Sequence, residues 1–236
     1  MGKLIVAVAV VLNFAVVGWA AQQEFKADSK TIALWKFTYE KGSKLVKDLS
    51  GNGYDLVPMD EEKAPVEVKG RIGNALLFDE NTKGLKLAGL KQNALLGEKG
   101  VTIQALIRAR KPQEYYGTIA ECFSYLKTGW RFHTQQKGRL ELQIENTDKE
   151  VAIYEPADIF DDDWHLVEAF YSIGTGDAIL RVDGSEIAKK TVILNHEWST
   201  TEYINFSIGN GSASKPVEYW FNGEIDSLKI SESARP

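Results

Sequence analysis

The segment Glu141-Leu142-Gln143-Ile144-Glu145 alternates polar and apolar side chains. In a β-strand that period sends Glu141, Gln143 and Glu145 to one face and Leu142 and Ile144 to the other. The same rule assigns Val101, Ile103, Ala105 and Ile107 to a core and leaves Gln104, Leu106 and Arg108 facing away from it. Guanidinium, amide and carboxylate groups on such a face are well suited to hydrogen-bond sugar hydroxyls. Arg108, Gln143 and Glu141 are therefore candidate ligand-binding residues, with Arg131 and His133 able to join them. Trp130 is a candidate stacking surface, as are Tyr115, Tyr116, Tyr125 and Trp198. Against each stands the core position that aromatic residues of β proteins commonly take.

A second cluster of oxygen donors lies in Asp48-Leu49-Ser50-Gly51-Asn52-Gly53. Its glycines permit positive φ, and Asp48, Ser50 and Asn52 place oxygens at alternate positions, as a turn holding a hard cation requires. The same residues also cap ordinary turns. Other chemistries are poorly supplied. The chain has three histidines, His133, His165 and His196, and none sits in a metalloprotease spacing. No serine occupies a nucleophile elbow, and no glycine-rich loop precedes a helix to hold phosphate. His165, after Trp164 at a strand start, reads as a packed, hydrogen-bonded side chain, and Asp161-Asp162-Asp163 as an exposed turn.

The elements that position these residues are strands. Runs of alternating apolar residues predict strands over 32–37, 76–78, 85–87, 101–110, 118–123, 130–135, 140–145, 165–172, 178–182, 186–193, 203–209 and 220–230. Asp183-Gly184 suits a two-residue hairpin turn, with Lys137-Gly138 a weaker case. Helix is confined to possible single turns at 90–96 and 157–162. The expected architecture is all-β, an antiparallel two-sheet β-sandwich.

Lys3 followed by the apolar run 4–17 and by Gly18-Trp19-Ala20 predicts a signal peptide over 1–20, cleaved after Ala20 or Ala21. The run is short of the roughly 20 apolar residues that a membrane helix needs. A secreted or periplasmic protein with no membrane insertion after cleavage is expected. Residues 21–30 form an N-terminal extension and 31–236 one domain. Among 236 residues, 28 Lys and Arg stand against 33 Asp and Glu, a net charge of −5 that argues against nucleic acid and anionic membranes as partners. Cys122 is the single cysteine, so no internal disulfide can form and stability must come from the core.

The order of the motifs carries a resemblance. Ile32-Ala-Leu-Trp-Lys-Phe37, Asp48-x-Ser-Gly-Asn-Gly53, Gly70-Arg-Ile-Gly-Asn-Ala-Leu-Leu-Phe78 and Val101-Thr-Ile-Gln-Ala-Leu-Ile107 come first. Trp164-His-Leu-Val167, Leu180-Arg-Val-Asp-Gly184 and Phe221-Asn-Gly-Glu-Ile-Asp-Ser-Leu-Lys-Ile230 follow. Together they resemble the laminin-G-like jellyroll domains of the concanavalin A-like lectin/glucanase superfamily. The resemblance implies two curved sheets with one concave face, and an early loop close to the closing strand. Asp48, Asn52 and Asp226 would then offer oxygens to a structural calcium ion, which needs six to eight. It also implies places where this chain departs, since Leu106 and Arg181 stand where the family often has aromatic residues.

Some β-glucanases of the superfamily carry Glu-x-Asp-x-Glu or Glu-x-Asp-x-x-Glu on a strand, as nucleophile and acid/base. Here Gln143 takes the central acid position, and Glu224-Ile225-Asp226-Ser227-Leu228-Lys229 places a lysine at the second glutamate. No enzymatic activity is expected. The expected function is a secreted binding module for carbohydrate or a cell-surface ligand. The alternatives are a structural or protein-interaction module without sugar specificity, and a glycoside hydrolase with atypical catalytic residues.

Overall fold

Period-two burial runs through most of the chain, and it builds a fold made of strands. The computed structural model describes residues 24–89, 95–111, 116–124, 128–135, 138–146, 149–157, 159–193, 198, 204–211 and 219–233. The expected signal segment 1–20, Tyr115 and Tyr125 lie outside these residues. The strands are β1 (Thr31–Tyr39), β2 (Val46–Asp48), β3 (Leu56–Pro58), β4 (Val66–Lys69), β5 (Asn74–Phe78), β6 (Leu85–Leu87), β7 (Gly100–Ala109) and β8 (Tyr116–Ser124). They continue with β9 (Thr128–Gln135), β10 (Arg139–Asn146), β11 (Lys149–Pro156), β12 (His165–Ser172), β13 (Asp177–Val182), β14 (Ser185–Thr191), β15 (Asn205–Ile208) and β16 (Gly223–Glu232).

All pairings are antiparallel, and one path links β11-β10-β9-β8-β15-β6-β3-β2-β1-β16-β7-β12-β13-β14, with the β4–β5 hairpin attached to β16. The path curls back on itself, so that β10 and β11 approach β13 and β14. The result is a nearly closed jellyroll, all-β as the alternation predicts. Between its two halves lies one apolar core that includes Trp35, Phe37, Phe78, Ile103, Ile107, Trp130, Phe132, Leu142, Leu180, Phe206 and Leu228. Phe206 sits 5.6 Å from the Trp35 ring and 6.4 Å from the Trp130 ring, tying the halves together. Each buried indole N–H is satisfied: Trp35 donates to the Tyr54 carbonyl at 2.7 Å and Trp130 to the Leu95 carbonyl at 3.0 Å. Cys122 packs in the same core with no exposed surface, and burial pushes its thiol well above the usual range.

Four strands exceed the sequence expectation. β2 and β3 are three residues long, too short to show a period, and β4 is a largely exposed ribbon paired only with β5. β11 is the consequential one. Its charged residues mask the alternation in Glu150-Val151-Ala152-Ile153-Tyr154-Glu155, and pairing along its full length with β10 supplies the order that composition does not. Where a helical turn is expected at 157–162, the described residues 157 and 159–162 form no helix, and a bend begins at Asp161 with Asp162 at φ 66°.

The Asp183-Gly184 hairpin forms as its chemistry demands, with φ of 51° and 79° at the two central residues. Asp183 then acts as a clamp. Its carboxylate accepts the Leu166 N–H at 3.0 Å and lies 2.7 Å from His165 Nδ1, while His165 Nε2 lies 3.1 Å from Asp161. The hydrogen bond to Asp183, and then that to Asp161, push the imidazole from an ordinary 6.5 up to about 9. Because the folded value is raised, the pair's contribution is complete below pH 6.5 and disappears as pH rises through about 9. Thermal melts from pH 6 to 10 should show the wild type losing on the order of 1–3 kcal/mol that His165→Asn does not lose over the same interval.

Candidate functional site

β8, β9, β10 and β15 bury one face in the core and turn the other outward. Cross-strand register assembles polar residues on that outer face into rows. Tyr154, Glu141, His133 and Thr118 form one row, and Ala152, Gln143, Arg131, Glu121 and Ser207 form the next. Glu145, opposite Gly129, extends the face toward Phe123. A register shift between Thr118 and Ala120 lets Thr118 and Glu121 both join these rows, although three positions separate them.

This face is unusually polar for its depth. Glu121, His133, Glu141 and Glu145 are 3, 2, 4 and 4% exposed. His133 Nε2 and Glu141 Oε2 stand 3.4 Å apart, within ion-pair range but outside hydrogen-bond geometry, and neither atom has another hydrogen-bond partner. Arg131 Nε is likewise 3.5 Å from Glu121 without a hydrogen bond of its own. The Arg131 guanidinium lies 3.5 Å over the Phe123 ring, and Ser207 donates its hydroxyl to Glu121 at 3.0 Å. Above this layer, Arg131 and Gln143 keep part of their surface in solvent.

Tyrosines bound the patch at both ends. Tyr116 packs on His133 at 4.5 Å between ring centres, and Tyr219 meets Tyr116 edge-on at 5.3 Å. Burial, then the nearby Glu141 carboxylate, push the Tyr116 phenol up. At the other end Tyr154 is 48% exposed, with the Arg139 guanidinium 5.0 Å from its ring centre. A half-open floor of guanidinium and amide between aromatic walls is able to bind a hydroxyl-rich ligand.

Of the sequence candidates, the fold brings Glu141 and Gln143 together and adds Arg131, His133 and Tyr116. Arg108 is elsewhere. It points from β7 to the outer face of the opposite half, where it holds Glu224 at 2.7 and 3.0 Å and lies 5.3 Å from the Trp164 ring centre. Alternation showed that Arg108 faces away from the core but not which of the two outer faces it occupies. Trp130 is also corrected: it is fully buried, so its ring has no surface for a ligand. Trp198 is 9% exposed and donates to the Gly97 carbonyl at 2.6 Å. Glu121, Tyr154 and Tyr219 were missed. The alternation around Ile153 was the available signal for Tyr154, whereas Glu121 depends on the register shift.

The Asp48 loop uses its oxygens on the protein itself. Asp48 Oδ1 accepts the Leu34 and Ser50 N–H groups at 3.1 and 2.9 Å, and Oδ2 accepts the Ser50 hydroxyl at 2.8 Å and the Tyr54 N–H at 3.0 Å. Asn52 directs its amide N–H₂ to the carbonyls of Thr31 and Ile32. Asp226 lies on the far side of β1, on β16, where it accepts the Ile72 N–H at 2.7 Å, and burial pushes its carboxyl up. The expected calcium set of Asp48, Asn52 and Asp226 does not fit this arrangement, because β1 separates Asp226 from the loop. Among the described residues no group of three His, Cys, Asp or Glu converges to hold a metal.

A laminin G family model of the concanavalin A-like lectin/glucanases superfamily matches residues 79–236. The chain belongs to this superfamily. No curated protein matches its sequence. Among solved structures, domain 4 of AbnA, a GH43 extracellular arabinanase from Geobacillus stearothermophilus in complex with arabinotriose, is similar. Its TM-score is 0.65 at 16% identity, over 88% of this chain and 94% of that one. The receptor-binding domain of botulinum neurotoxin mosaic serotype C/D aligns with a TM-score of 0.61 at 15% identity over 88% of this chain, which spans 48% of the toxin domain. The CBM40 of Ruminococcus gnavus IT-sialidase, bound to α2,3 sialyllactose, aligns with a TM-score of 0.50 at 14% identity, covering 61% of this chain and 80% of that one. At these identities the likeness is one of fold.

Asp48 thus staples the turn between β2 and β3 to the backbone of β1. Asp48→Ala should lower the melting temperature by an amount corresponding to about 2–4 kcal/mol, since several buried N–H groups lose their acceptor. In the same calorimetric series, EGTA should leave the wild-type melting temperature unchanged.

Proposed function

We propose that this chain is an exported, non-enzymatic carbohydrate-binding module whose site is the outer face of β8, β9 and β10 with Tyr154 of β11. The observation that carries the reading is the cross-strand pairing of Arg131 with Gln143 between tyrosines at both ends of the patch. The planar guanidinium and amide offer donors and an acceptor to vicinal hydroxyls, and the tyrosines offer flat surfaces to sugar rings. The carboxylates beneath serve as braces. Glu121 holds Arg131 and Ser207, and Glu141 sits against His133. With Gln143 between Glu141 and Glu145, the strand lacks the acidic centre of a glucanase motif, which favours binding over turnover. Sugar complexes of the arabinanase domain and of CBM40 support the reading by showing that those proteins use a related fold to hold saccharides.

A glycan array followed by calorimetry tests this. Gln143→Ala and Tyr154→Ala should each weaken the bound saccharide roughly tenfold or more while leaving thermal melts nearly unchanged, because both residues are partly exposed. Arg108→Met should do the reverse, lowering stability through Glu224 and leaving the affinity of the folded protein intact. Retention of no glycan at all would overturn the proposal.

A further inference from the structure

Asn52, Asn210 and Asn222 each precede a glycine, and the fold places the three pairs in unlike surroundings. Such a pair carries its own chemistry. Once its proton is lost to water or hydroxide, the glycine nitrogen attacks the asparagine side-chain carbon Cγ, and glycine has no Cβ to obstruct the approach. Asn210 is 3% exposed and directs its amide to the Thr82 carbonyl, while Gly211 gives its N–H to the Tyr219 carbonyl at 3.3 Å. Asn222 is half-buried and accepts the Arg110 N–H at 2.8 Å, and Gly223 opens β16 between Phe78 of β5 and Ala109 of β7.

The first pair is different. Asn52 and Gly53 are both exposed, Gly53 has φ 79°, and its N–H makes no hydrogen bond among the described residues. Asn52 also borders an open cleft of about 930 Å³, shared with Lys30, Thr31, Lys99 and Glu232, so water reaches the pair. Its amide is held only by the Thr31 and Ile32 carbonyls, at 3.3 and 2.9 Å. Releasing those two bonds uncovers no core side chain, whereas freeing Asn210 requires a buried residue to open.

We propose that Asn52-Gly53 is a site of spontaneous deamidation that loosens the attachment of the Asp48 turn to β1. The bond from the Gly53 nitrogen to Cγ forms, the Cγ–Nδ2 bond breaks, and ammonia leaves with a proton taken from water. Water then opens the succinimide to aspartate or isoaspartate, and no electrons are exchanged. The product sets a carboxylate, which has no proton to donate, against the two β1 carbonyls that the amide had held. It also adds negative charge to a turn that already carries Asp48. The site is independent of the carbohydrate-binding reading.

The test holds the folded full chain in mildly alkaline buffer and follows it over weeks by peptide mapping and mass spectrometry. Asn52 should convert at least roughly tenfold faster than Asn210 or Asn222, with isoaspartate among the products and a rate that rises with pH. Asn52→Asp, which installs one product directly, should melt at a lower temperature than the wild type. Conversion of Asn210 or Asn222 as fast as Asn52, or an Asn52 that stays intact until the protein is unfolded, would overturn the site. A wild-type melting temperature for Asn52→Asp would overturn the loosening of the turn.

Discussion

A shared apolar interior is the constraint on which the rest of the molecule depends. With no disulfide, the fold is held by the contact of two halves of one curled sheet path, closed around Trp35, Trp130 and Phe206. Most long strands then commit alternate side chains to that interior. The positions left over make up two outer faces, and their chemistry differs. On β7 and β16 the outward residues neutralise one another, with Glu224 held by Arg108 and Arg110. On β8, β9 and β10 they form a layered polar patch that stays partly open at Arg131 and Gln143.

Burying glutamates and a histidine under that patch costs desolvation, which contacts such as the Ser207 hydroxyl donating to Glu121 help to offset. Structural salt bridges usually reach hydrogen-bond geometry, as Arg108 and Glu224 do. The pairs His133–Glu141 and Arg131–Glu121 stop just short of it. The contrast between the two outer faces is therefore one of completion. On one face Glu224 is held by Arg108 and Arg110, while on the other Arg131 Nε, His133 Nε2 and Glu141 Oε2 have no hydrogen-bond partner.

Much of this was legible in the sequence. The alternation in β7, β9, β10 and β12 gave the strands and their core faces, and Asp183-Gly184 gave its hairpin because few other dipeptides tolerate two positive φ angles. What alternation cannot give is partnership between distant strands. Arg108 and Gln143 obey the same outward rule, yet register with β16 and β12 puts one on one face, and register with β9 and β11 puts the other on the opposite face. Trp130 shows the limit for aromatics: a ring that could have served as a stacking surface has the parity of Phe132, which places it in the core. The Asp48 loop carried the residues of a cation turn, but its oxygens were absorbed by backbone donors of β1 and of its own turn, which sequence spacing does not reveal.

Cys122 gives the molecule a built-in witness to its own integrity. The thiol has no exposed surface, and burial holds its proton tightly, so the nucleophilic thiolate is suppressed while the core stays closed. Because the chain has no other cysteine, any alkylation or mixed disulfide formed on it reports that the contact between the two halves has opened. In an oxidising compartment the same burial keeps an odd thiol from cross-linking the folded protein to its neighbours, so chemical inertness and mechanical closure are secured by one packing interaction.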